Sequence, residues 1–342
     1  MNQVLQLVSK HRSAIMGFAI LWIMLFHLPV PTDFSAIDFI KSIGYGGVDV
    51  FLFLSGFGLY FSMSRKNFIL KKYYKSRFFR IVPEFWFVLC VVFLVQMNFN
   101  LNSFYSLICR ATTLGYWVKR YDDLWFISCI LLLYTIFPIY FRLFKKYGTK
   151  VSLFFIGAGL SLILIYALTC IFFYDNKNFR GMIILTYARI PIFFIGATFG
   201  YWAKEGCSIV LTNKLKTIGI TSAIVAVITL TCFMKFSHSL LQTCSLAYLP
   251  YIVITPVLCI LLAIFFEKWS ILDKIFTIMG LLSLELYLCH VYIYKLFFSF
   301  IDYLDKDSSN ILIMLLSFLA AYALYFINRK IFTKRTNFRI RP

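Results

Sequence analysis

An all-α polytopic membrane bundle, with about ten spans and both termini cytoplasmic, is what the amino-acid sequence predicts, on three observations. Of the 342 residues, 61% are hydrophobic and 14% are charged. A water-solvated fold of that composition lacks the polar surface to cover itself. Apolar runs long enough to cross a hydrocarbon core of about 30 Å as helices recur along the whole chain. The Lys and Arg residues gather in alternate connections between those runs, as topology requires. Strands of alternating polarity are absent, which excludes an outer-membrane barrel.

In chain order the spans lie near residues 14–30, 44–63, 81–101, 123–143, 151–173, 181–202, 216–236, 246–266, 276–298 and 309–328. The first follows Lys10 and Arg12 and leads to no small-residue cleavage site, so it reads as a retained helix. Between the second and third lies the densest basic connection, with seven Lys and Arg from Arg65 to Arg80. The longest outward loop, Asn102 to Asp122, precedes the fourth span, and Trp117, Tyr121 and Trp125 cluster at its mouth. No linker, repeat or low-complexity tract interrupts the pattern, which makes residues 1–342 a single membrane domain. With both termini inside, the inner segments hold 24 of the 34 Lys and Arg and the outer ones hold 8. An even number of spans follows. The net charge of +20 is thereby a topological signal directed at membrane lipids, and not a nucleic-acid surface. Nine cysteines show neither a CxxC pair nor His/Cys ligand spacing, so no metal site or disulfide framework is expected.

An ionisable side chain inside a span costs a few kcal/mol on insertion scales, so each one is a functional candidate unless it pairs or snorkels. Six stand out: His27, Asp49, Glu84, Arg189, Glu285 and His290. Span directions place His27, Asp49 and His290 in the outer half of the bilayer, Glu84 near the cytoplasmic end of the third helix, and Arg189 and Glu285 near mid-depth. Glu285 and His290 are five residues apart, about 140° around a helix, so Tyr287 is the expected neighbour of His290.

Several of these residues stand in a recurring local order. Phe26-His27 in the first span is followed by Gly46-Gly47-Val48-Asp49-Val50-Phe51, Leu54-Ser55-Gly56-Phe57, and Arg77-Phe78-Phe79-Arg80-Ile81-Val82-Pro83. Trp125-Phe126-Ile127 and Ser283-Leu284-Glu285-Leu286-Tyr287-Leu288-Cys289-His290 come later. In order and spacing this resembles the acyltransferase-3 family of bacterial integral membrane O-acyltransferases, most specifically over residues 13–83. The resemblance implies an enzyme of the bacterial cytoplasmic (inner) membrane. Such an enzyme takes an acyl group, usually acetyl from acetyl-CoA, and places it on a hydroxyl of a cell-surface glycan or its lipid-linked precursor, without a metal.

The residues suit that chemistry on their own terms. A sugar hydroxyl is a weak nucleophile at neutral pH, and histidine is the side chain whose ordinary pKa fits a general base. His27 is the candidate, with Asp49 to orient it or to stabilise the imidazolium. The competing accounts are a buried histidine bonded to a backbone carbonyl and a carboxylate capping a helix start. Arg77 and Arg80 share a helix face and suit the phosphates of acyl-CoA, since guanidinium forks match such oxygens; topology alone also places arginines there. The family commonly carries a basic residue eleven positions before the first-helix histidine, and this chain has Met16 there. Arg12, one turn further toward the cytoplasm, fills that place only if the helix begins irregularly. Trp125, Glu285 and His290 are candidates for the acceptor side or for structural contacts, Trp125 by stacking on a sugar ring or as an interfacial anchor. Gly56 is expected to allow close helix packing. A transporter or flippase for a lipid-linked glycan has the same gross features but leaves the order of His27, Asp49 and the Arg77–Pro83 segment unexplained.

Overall fold

Inside hydrocarbon every backbone N–H and C=O must find its partner within the chain, so apolar runs of this length fold as helices. The computed structural model describes residues 2–28, 35–66, 68–96, 101–119, 125–172, 184–206, 213–236, 246–297 and 306–331. All regular structure among these residues is helical. Tyr121 and Asp122, both named above, lie outside the described residues.

The helices are α1 (Asn2–Lys10), α2 (Arg12–His27), α3 (Ser35–Ser42), α4 (Gly47–Met63), α5 (Leu70–Gln96), α6 (Leu101–Ala111), α7 (Leu114–Lys119), α8 (Trp125–Tyr147) and α9 (Thr149–Phe172). They continue as α10 (Ile184–Tyr187), α11 (Ile190–Glu205), α12 (Asn213–Phe236), α13 (Tyr251–Lys268), α14 (Ser270–Leu281), α15 (Ser283–Phe297) and α16 (Lys306–Ile331). Among the described residues six stretches are long and apolar enough to cross a bilayer: Gly44–Met63, Leu70–Val95, Trp125–Tyr147, Thr149–Cys170, Leu246–Lys268 and Ser308–Asn328. Helices α14 and α15, bent by 68° at Leu282, make a seventh if counted as one span. Helix α2 and Thr217–Cys232 are apolar but shorter. The protein is therefore a multi-pass helical membrane protein. The sequence reading of ten spans rests additionally on these shorter helices and on α11.

Two boundaries differ from expectation. Helix α5 begins eleven residues before the expected third span, because a basic first half excludes a segment from hydrocarbon without preventing a helix. Arg77 and Arg80 consequently lie within that helix. The stretch read as the longest outward loop contains α6 and α7; α6 segregates its polar and apolar residues along one axis, a pattern suited to a helix lying along an interface.

The chain forms two compact units. One comprises Met1–Arg12, Asp49–Phe68 and Thr112–Ser270. Its core is glycine-mediated: a Cβ on Gly56 would strike the Phe193 carbonyl, one on Gly196 the Phe53 carbonyl, and one on Gly200 the Phe57 carbonyl. Small residues let α4 and α11 approach backbone to backbone, which substitutes for the missing hydrophobic drive between helices in lipid. Phe137, Tyr140, Phe193 and Phe194 fill the layer beside them, and Tyr140 is hydrogen-bonded to Ser152 at 2.8 Å between α8 and α9. Gly196→Val therefore abolishes the monodisperse folded peak in detergent chromatography, since a rigid carbonyl cannot yield and overpacking costs about 1–3 kcal/mol or more. Gly157→Ala, with nothing within 4 Å of the added carbon, leaves it intact.

The other unit comprises Ser13–Val48, Ile69–Ala111 and Ile271–Pro342. Helices α15 and α16 pack along each other, and α15 also packs on α5. Helix α2 crosses α14 where Gly17 meets the Phe276 carbonyl and Gly280 meets the Ser13 carbonyl. The Trp22 indole donates to the Ile40 carbonyl at 2.9 Å, tying α2 to α3.

Candidate active site

In the second unit, α2 ends on His27 and the apolar α15 carries His290, buried at 3% exposure. The two rings stand edge to face with centroids 4.9 Å apart, and His290 Nε2 lies 3.3 Å from His27 Nδ1. Each Nδ1 also faces the carbonyl one turn back: His27 that of Ile23 at 2.9 Å, and His290 that of Leu286 at 2.9 Å. A carbonyl only accepts, so both rings carry their proton on Nδ1. The lone pair of His27 is thereby assigned to Nε2. Phe26, 5.0 Å from His27, and Tyr287, 5.7 Å from His290, wall the pair, so Tyr287 is beside His290 as its spacing suggests. The backbone-bonded histidine weighed above and the general base are thus compatible at His27. The carbonyl bond selects the tautomer that a base needs.

Glu84 and Glu285 are buried in the same unit. Glu285 occupies the first turn of α15, directly after the 68° bend, where free helix N–H groups favour a carboxylate. Arg80 is within electrostatic reach of both carboxylates. Arg77 and Arg80 stand on one helix, as expected, but differ in environment: Arg77 is buried with its guanidinium 5.6 Å from the Tyr73 ring, whereas Arg80 is exposed.

Asp49 belongs to the first unit, in the first turn of α4. Its partner there is Arg189, with Nε and Oδ1 3.9 Å apart. Asp49 is 2% exposed and Arg189 1%. The guanidinium lies over the Trp125 ring, 4.7 Å from its centre, and over the Tyr248 ring, 4.2 Å from its centre. It also donates to the Leu185 carbonyl at 3.2 Å. Arg189 caps the start of α11 at the two-residue break after α10, with Pro191 just inside the new helix. Trp125, expected at an outward mouth, here stacks on this arginine. Nearby, Tyr116 and Thr186 share a hydrogen bond of 2.9 Å, and burial pushes the Tyr116 phenol upward, keeping it protonated. Tyr248 and Thr186 were not singled out from the sequence, and an isolated aromatic or threonine near a span end carries no signal that could have found them.

His11 interrupts the helix between α1 and α2, Lys10 and His11 both hold Glu267 at 2.6 Å, and the Arg12 guanidinium lies over Gly58, where any Cβ would collide with it. Among the described residues no cluster of His, Cys, Asp and Glu could hold a metal ion.

No curated protein and no solved structure gives a significant match to the chain. A family model described as an acyltransferase domain matches residues 15–327, nearly the whole length, and with the helical membrane fold it identifies this protein as a membrane acyltransferase belonging to the acyltransferase-3 family.

Proposed function

We propose that the protein is an O-acyltransferase that moves an acetyl group from cytoplasmic acetyl-CoA to a hydroxyl of a cell-surface glycan or its lipid-linked precursor. It works from the bacterial cytoplasmic membrane, with ten spans, both termini inside and no metal. The observation that carries this reading is the Nε2 lone pair of His27, freed by the bond from Nδ1–H to the Ile23 carbonyl. The acceptor oxygen attacks the thioester carbonyl carbon while His27 Nε2 takes the hydroxyl proton. The C–S bond then breaks, and the proton passes from His27 to the departing thiolate. Burial of Glu285 and His290 supports structural and positioning work for these two, and Trp125 supports Arg189.

For the donor, Arg77 and Arg80 supply guanidinium forks for phosphate; Arg12, in the other unit, is a separate candidate. Purified protein in proteoliposomes, supplied with acetyl-CoA and cell-envelope glycan, releases CoA thiol and acetylates the glycan. Absence of both would overturn the function. In that assay Arg77→Gln raises the acetyl-CoA KM by about tenfold or more, as expected for one charge-assisted contact of about 1.5–3 kcal/mol, with the glycan KM unchanged. Arg77→Lys recovers only part, because the charge returns without the fork. Arg80→Gln is the less clean probe, since it also strips a cation from Glu84 and Glu285. An unaltered acetyl-CoA KM in Arg77→Gln places the donor phosphates elsewhere.

A further inference from the structure

His290 has no part in the proton transfer just described, yet it is the only side chain that a described hydrogen bond brings to the ring of His27. It is buried, and it is held by its own helix through Leu286. Two constraints decide what it does. Its Nδ1 faces a carbonyl and must donate, which leaves Nε2 with the lone pair in the neutral ring. His27 Nδ1 faces a carbonyl too and carries a proton. If His290 held a proton on Nε2 as well, two N–H groups would point at each other across 3.3 Å. The arrangement is consistent only when His27 Nδ1–H is shared between the Ile23 carbonyl and His290 Nε2. The separation of 3.3 Å, longer than a two-centre N–H bond, suits such sharing.

We propose that His290 is a positioning residue for His27: its Nε2 accepts the Nδ1 proton of His27, locks the ring so that Nε2 faces the acceptor hydroxyl, and steadies the imidazolium formed when that proton is taken up. His290 thereby does what the sequence reading assigned to Asp49. A neutral imidazole suits the place because a second buried charge needs a partner of its own, while its lone pair still stabilises a cation in a poorly screened, aromatic-walled setting. The Ile23 carbonyl alone fixes the tautomer but leaves the ring free to swing about that bond. The second acceptor, anchored on another helix, removes that freedom. This inference rests on the proposed transfer reaction for its catalytic consequence and on geometry alone for the pairing.

The test uses full-length protein in lipid, labelled with nitrogen-15 histidine; the chain has four histidines, so the spectra are assignable by single substitutions. Both His27 and His290 are expected as Nδ1–H tautomers, with magnetisation passing between His27 Nδ1 and His290 Nε2. A Nε2–H tautomer at His27, or no transfer between those nitrogens, overturns the pairing. In turnover assays His290→Leu lowers kcat by about 10- to 100-fold, the scale on which a histidine's orienting partner acts, with KM for acetyl-CoA unchanged. His290→Gln, whose Oε1 reaches the place of Nε2 and accepts the same proton, restores most of the loss. Equal impairment in the Leu and Gln variants, or normal kcat in the Leu variant, overturns the positioning role. Wild-type protein that shows the paired tautomers but transfers no acetyl group overturns the function and not the pairing.

Discussion

Replacing His27 with alanine lowers acyl transfer by about 10²- to 10⁴-fold, the range for loss of a general base, while the protein inserts and folds at its normal level. The asymmetry follows from where the residue sits. His27 is the last residue of α2 and is only partly buried, so truncation opens no cavity in a packed core. Its carbonyl partner, Ile23, lies within the same helix, so no contact between helices is lost there. The tie to His290 is lost, but His290 keeps its bond to Leu286. Gln at position 27 gives the same deficit as Ala, because an amide has no lone pair basic enough to take the hydroxyl proton. Glycan acetylation and thiol release are measured at matched levels of folded protein. Near-normal turnover by well-folded His27→Ala protein removes the base from the mechanism and leaves the family assignment untouched.

The helical fold and the family were legible because both depend on local features. Apolar run length announces a span, and the order from Phe26-His27 through Pro83 is contiguous along the chain. Helix breaks were harder. The interruption at His11 has neither Gly nor Pro beside it, and Lys10 and His11 itself are held by Glu267, a residue more than 250 positions away in a different helix. The bend at Leu282 follows Gly280, whose close contact with Ser13 is equally long-range. The same limit governs the site. The cost of placing an ion in lipid singles out His27, Asp49, Glu84, Arg189, Glu285 and His290 one at a time. Periodicity says which face of a helix carries a residue and not which other face it meets. His27 and His290 are 263 positions apart, so the partner that the sequence offers His27 is Asp49, near in sequence and similar in depth. Trp125 reads from the sequence as belt or stacking platform because an arginine shared by two rings is visible only when α8, the start of α11 and the turn Leu246–Tyr248 are seen together.

Removing Arg189 alone destabilises the protein by about 3–5 kcal/mol, the cost of leaving a buried charge without its counter-ion. In Arg189→Leu the Asp49 carboxylate keeps its first-turn position, but Oδ2 already lacks a hydrogen-bond partner, and the cation that compensates Oδ1 is gone. The Trp125 and Tyr248 rings lose cation–π contacts worth about 2 kcal/mol in a desolvated setting. Adding Asp49→Asn to Arg189→Leu recovers much of the loss, because the orphaned charge disappears with its partner. Asp49→Asn alone leaves Arg189 uncompensated and is itself destabilising. Denaturant unfolding of the four proteins in one detergent gives the coupling between the two sites, and turnover of the same samples gives the catalytic effect. An anchoring pair shows strong coupling in stability, with transfer in the double variant tracking the amount of folded protein. If the losses are additive and Asp49→Asn, still stable, transfers poorly, then Asp49 acts on the chemistry itself and the anchoring account of the pair is wrong.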